Sequence, residues 1–133
     1  KGGRARNIPI TRNSQILALQ QASNIQDGRS MIPANQSYRE FRQNAYKELG
    51  NHPIRFHGER HHYAQNRYRE LLDAKAECPI RAGLKHGHQH YAYLAKAFSL
   101  SLANAKNLDH AVRAIIAKEL GHGRTDVTNS YLG

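Results

Sequence analysis

Between Asn107 and Leu120 the apolar residues Leu108, Ala111, Val112, Ile115, Ile116 and Leu120 recur at spacings of one, three and four. That period winds onto one face of a helix and cannot line one face of a strand. Gly121 stops the helix, since only glycine takes the left-handed conformation of a helix C-terminus without penalty. A stripe of this length must be covered by other elements. The chain's 133 residues suffice for one core, so a single domain is expected.

The covering elements are legible too. Residues 13–24 carry Ile16, Leu17, Leu19 and Ala22, a helix closed by Asp27-Gly28. Ser37-Tyr38-Arg39-Glu40 has capping-box spacing, with Tyr38, Phe41, Ala45 and Leu49 following on one face until Gly50 and Pro53. From His57, the residues Arg60, Ala64, Arg67/Tyr68 and Leu71/Leu72 repeat at helical spacing. Cys78 through Gly87 reads as a loop, and Tyr91, Leu94, Ala95, Phe98 and Leu102 form another helical face. Thr125 or Asp126 caps a last short helix with Thr128 and Tyr131. Only Arg4–Ile10, leaving Gly2-Gly3 and interrupted by Pro9, suits an edge strand. The expected class is mainly α with a small β element.

Charge narrows the partner. Twenty Lys and Arg face ten Asp and Glu, a net charge of +10. The excess is concentrated: residues 1–69 hold 12 basic and 4 acidic side chains, net +8, while residues 107–133 hold three of each. Such a surface favours polyanions by steering and counterion release, although it also serves simply as a solvated basic surface. The single cysteine, Cys78, excludes an internal disulfide framework. No apolar run reaches the roughly 18 residues of a membrane span, and no signal-peptide core opens the chain, so a cytoplasmic protein without a membrane partner is expected.

Two polar patterns remain. His57 and Arg60 lie three apart and share a helix face, a phosphate-binding pair. An arginine fork grips two phosphate oxygens at once, which lysine cannot do. Leu120-Gly121-His122 places a second histidine at a helix end, and Tyr131 follows nine residues later. Tyrosine is a poor nucleophile at its free pKa of ~10, so attack on a phosphodiester needs a proton acceptor and donors for the phosphorane. His57 can donate to the phosphate or help take the tyrosine's proton, and His122 can donate to the phosphorane from the opposite side. Singly, each has an ordinary alternative: a core-edge tyrosine, a surface arginine, and histidines at helix ends.

In order, the Lys1-Gly2-Gly3 hairpin start ending in Ile8-Pro9-Ile10, then His57-x-x-Arg60, then Leu-Gly-His122 and Tyr131, resemble the tyrosine recombinases, the phage-integrase family. The resemblance implies the C-terminal part of that catalytic-domain fold, with transesterification through a 3′-phosphotyrosyl link and no metal or other cofactor. It implies catalytic roles for Tyr131, Arg60, His57, His122 and Lys1, the last protonating the departing 5′-hydroxyl. Arg4, Arg6 and Arg12 are the expected DNA contacts. Double-stranded DNA and a homotetramer on two DNA sites are the implied partners, and integration or excision of a mobile element the implied task. The family's first arginine precedes the hairpin and has no counterpart here, so the chain reads as a fragment.

Two departures accompany the likeness. Glu59 stands where the family usually has leucine, and is expected to face solvent or pair with Arg55 or His62. Arg60 and His122 lie 62 positions apart, more than in the family, implying an insertion at about residues 74–106. Within it Cys78, His86, His88 and His90 admit a metal-site reading, at unconvincing spacing. A non-catalytic DNA-binding remnant, or a topoisomerase or resolvase using the same residues, are the alternative functions.

Overall fold

The computed structural model describes residues 7–26, 28–50, 52–53 and 55–133. Its helices are α1 (Asn13–Ile25), α2 (Tyr38–Leu49), α3 (Phe56–Leu71), α4 (Pro79–Ala82), α5 (His88–Phe98), α6 (Leu102–Glu119) and α7 (Asn129–Leu132), with a 3₁₀ turn at Asp126–Thr128. The protein is mostly helical. Among the described residues there is no strand, only an isolated bridge at Ser30. Of the expected strand, Arg4–Arg6 lie outside the described residues and residues 7–10 are irregular. Among the described residues no helix is long and apolar enough to cross a membrane.

Where the sequence suggests one domain, the chain separates into two compact units, one of Ile8–Arg55 and one containing Phe56–Gly133. The physical reason lies in burial: α1 and α2 contain no buried residue, and the buried core cluster is drawn entirely from Ala64 to Leu132. In the first unit, Gln15 Oε1 accepts from the Thr11 and Arg12 amides, at 2.9 and 3.0 Å, and so starts α1. The capping box of α2 forms as expected. Glu40 Oε2 accepts from the Ser37 amide at 2.8 Å and from its hydroxyl at 2.7 Å, which lowers the Glu40 pKa.

The second unit holds the core. Ala64 and Tyr68 lie on the inner face of α3 with Leu72 just past its end, Leu94 comes from α5, and Ala105, Val112, Ile116 and Leu120 from α6 and its cap. Tyr131 and Leu132 complete it. α6 begins at Leu102, capped by Ser101 Oγ on the Asn104 amide at 3.2 Å, five residues before the expected start. Leu102 therefore belongs to α6, not to the preceding helix. The expected loop from Cys78 contains α4, with Pro79 at its first position. Residues 74–106 contribute Ala76, Cys78, Leu94 and Ala105 to the same core.

A polar knot sits inside that core. Asp109 of α6, fully buried, accepts from Tyr68 Oη at 2.6 Å and from Arg113 Nε at 2.8 Å. His86 Nε2 lies 3.2 Å from the same carboxylate and His90 Nδ1 3.5 Å. Burial, then the Asp109 charge, raises the Tyr68 pKa, so the phenol keeps its proton and donates. Burial also lowers the His90 pKa, against the opposing pull of the Glu77 carbonyl and Asp109. His90 is thus held neutral in the fold, while the unfolded chain takes up a proton below pH ~6.5. Stability is expected to be undiminished by this group above that pH and to fall on acidification through it, by at most ~1.4 kcal/mol per pH unit for one proton. Urea midpoints at pH 7.5 and 5.5 check this; His90→Gln should shrink the drop, and a wild-type midpoint that rises on acidification would exclude it.

Candidate active site

Three stretches distant in sequence build one site in the second unit. The first is the opening of α3. His57 and His61, one turn apart, approach through their Nε2 atoms at 3.3 Å, with rings nearly perpendicular. Arg60, between them in sequence, donates from Nη2 to the Leu120 carbonyl at 3.0 Å. That carbonyl belongs to the cap residue of α6, so the guanidinium is tied to the end of another helix. Arginine has five N–H donors, and this tether still leaves several for a ligand.

The second stretch is the exit from α6. Gly121, at φ 75°, donates to Lys118 O at 3.0 Å, and the His122 amide donates to Ala117 O at 2.8 Å. These are the paired bonds of a Schellman motif, and they fix the direction in which His122 leaves the helix. The third stretch is α7. Its Tyr131 carbonyl accepts from Gln65 Nε2 at 3.1 Å, while Arg81 Nε donates to Gln65 Oε1 at 3.0 Å. From the other side Arg113 donates to Asn129 Oδ1 and to Gly133 O, both at 2.9 Å.

Tyr131 is the centre of this arrangement. Its ring lies 4.8 Å from that of His61, 5.5 Å from His122 and 6.1 Å from His57, and the Arg60 guanidinium carbon is 6.0 Å from its centroid. The structure thus brings together His57, Arg60, His122 and Tyr131. Lys1, Arg4 and Arg6 lie outside the described residues. Arg12 is the N-cap residue of α1 and belongs to the first unit. Glu59 is exposed and approaches His62 Nδ1 at 3.6 Å, one of the pairings expected for it.

The sequence assigned no role to His61, the last residue of the His57–His61 stretch, or to Gln65. The signal was available, because 57, 61 and 65 are successive i, i+4 positions on one helix face. It also missed Arg113, buried beside the apolar stripe of α6. Cys78 is buried and His90 Nε2 is bonded to Glu77 O at 3.0 Å, and among the described residues no three His, Cys, Asp or Glu side chains are grouped to hold a metal. No family model, curated protein or solved structure matches the chain.

A phenol ringed by three imidazoles and a guanidinium has the parts for phosphoryl transfer: a nucleophile, proton acceptors and a phosphate fork. The other phenols of this unit are differently placed. Tyr63 Oη donates to Glu119 at 2.8 Å, Tyr93 Oη accepts from the Glu77 amide at 3.1 Å, and Tyr91 Oη lies 3.4 Å from His86 Nε2.

Proposed function

We propose that this chain carries a tyrosine-recombinase catalytic site, which cuts and rejoins duplex DNA through a 3′-phosphotyrosyl intermediate. The observation that supports this reading best is the convergence of His57, Arg60 and His122 on Tyr131 from segments up to 74 positions apart. The net charge of +10 suits a DNA partner.

In this reading Tyr131 Oη attacks the scissile phosphorus and its proton passes to His57. Arg60 grips non-bridging oxygens, and His122 donates to the charge that builds on the phosphorane. The P–Oη bond forms as the P–O5′ bond breaks, and the leaving oxygen takes a proton. That last role falls to Lys1 by resemblance alone. A 5′-hydroxyl from a second strand reverses the sequence; the ester conserves the bond energy, so no nucleotide hydrolysis is required. The fold of the family, the tetramer on two sites, and the integration or excision of a mobile element belong to the same proposal.

Arg60→Lys is the sharpest test of the phosphate role. Losing a planar fork that acts on the transition state should cost about 2.7–4 kcal/mol, so the cleavage rate should fall about 10²–10³-fold. Single-turnover cleavage of a nicked suicide substrate measures this. A rate near wild type would reduce Arg60 to a structural tether of the α6 end.

A further inference from the structure

We infer that His61 is a positioning residue of this site: it holds His57 in the tautomer that accepts the nucleophile's proton, and it braces the Tyr131 ring. The inference rests on the proposed strand-cleavage reading and adds to it a residue outside the constellation that the family resemblance supplied.

The geometry is specific. His61 follows His57 by one helical turn, and their Nε2 atoms face each other at 3.3 Å. A hydrogen bond between two ring nitrogens accommodates a single proton, so one Nε2 donates and the other accepts. If His57 donates, its Nδ1 keeps a bare lone pair and is the atom able to take the proton of Tyr131. If His61 donates, His57 carries its proton on Nδ1 and has no free lone pair on either nitrogen. Only the first arrangement serves the reaction. It also serves the next state, because imidazolium His57 still needs an acceptor for its Nε2–H, and neutral His61 supplies it.

The second role follows from packing. Of the three histidine rings around Tyr131, that of His61 is nearest, at 4.8 Å and tilted by 44°. Tyr131 is 6% exposed. A ring against the phenol restricts rotation of the Tyr131 side chain, so its oxygen is presented in a narrow range of directions. His61 acts through its two neighbours, and no contact with DNA is required of it.

Three variants separate these roles. His61→Phe keeps an aromatic ring and removes the acceptor; His61→Gln keeps a polar end at similar reach; His61→Ala removes both. The first measurement is the imidazole ¹⁵N spectrum of His57 in the chain itself, taken where the ring is neutral. The wild type should show His57 protonated on Nε2 and bare on Nδ1, a pattern kept in His61→Gln and lost to a tautomer mixture in His61→Phe. The second is single-turnover cleavage at saturating DNA. His61→Phe should slow it about tenfold, less than the roughly 10²–10⁴-fold expected for removing a proton-transfer group outright. His61→Gln should recover most of the rate, and His61→Ala should be slower than His61→Phe.

His57 found as the Nδ1–H tautomer in the wild type overturns the inference, even if no variant folds. So does a His61→Phe protein with unchanged His57 spectrum and unchanged rate. Failure of the underlying reading has a different signature: a DNA adduct that persists without the Tyr131 hydroxyl, whatever the tautomer of His57.

Discussion

Under the proposed reading, replacing Tyr131 by Phe is expected to abolish the covalent DNA adduct while leaving DNA affinity nearly unchanged. The substitution deletes one oxygen and keeps the ring, which is buried among α3, the α6 exit and α7. The adduct requires that oxygen because no other atom forms the phosphotyrosyl bond. The remaining phenols of the second unit are poor substitutes. Tyr63 donates to Glu119 and Tyr68 to Asp109, and burial together with those carboxylates raises both pKa values, which disfavours the phenolate. A nicked suicide substrate resolved on a denaturing gel makes the measurement, with fluorescence anisotropy for affinity. An adduct of undiminished yield in the Phe variant would move the nucleophile elsewhere and defeat the proposed reading.

The largest effect on stability is expected from Asp109→Ala. The carboxylate is fully buried and accepts from Tyr68 and Arg113, with His86 and His90 beside it. Truncating it leaves Arg113, only 2% exposed, as a buried charge without its counter-ion, and it strips the Tyr68 hydroxyl of its acceptor. Removing one partner of a buried ion pair costs about 3–5 kcal/mol, which is a large share of the ~5–15 kcal/mol by which a domain is stable. Urea denaturation of the chain at neutral pH gives the comparison. Asp109→Asn keeps an acceptor oxygen for one of the donors and should be milder. The damage should also reach the site, because Arg113 holds Asn129 and the Gly133 carbonyl on either side of Tyr131. Adduct formation by a variant that is still folded should therefore drop. A midpoint within experimental error of wild type would show that the knot contributes nothing to stability.

Both effects come from residues at opposite ends of what a sequence discloses. Tyr131, His57, Arg60 and His122 are visible in the chain because each falls at a fixed distance from a local landmark: one helical turn, a Leu-Gly helix stop, nine residues after it. Asp109 and Arg113 are not visible. They lie on α6 beside the apolar stripe and look like ordinary solvent-facing charges, yet they are inside, while Ile115 from the expected stripe is 43% exposed. Periodicity fixes a helical face only broadly, and the elements that pack against it decide which neighbours of the stripe are covered. Here Tyr68 from α3 donates to the carboxylate and Arg113, one turn along α6, balances its charge, which makes its burial tolerable.

Legible in the chain are the helical class, the capping box that starts α2, the glycine stop that aims His122, and the shared face of His57 and Arg60. Each is a local matter, settled within one or two turns of backbone by hydrogen-bond geometry and side-chain spacing. Tertiary packing set the division of the chain into two units and brought residues 74–106 into the core. It also brought His61 against Tyr131, tied Arg60 to the Leu120 carbonyl, and enclosed Asp109 with Tyr68. These depend on contacts across 40 to 70 positions of sequence, where burial and charge pairing between separate helices outweigh any preference that a short stretch carries alone.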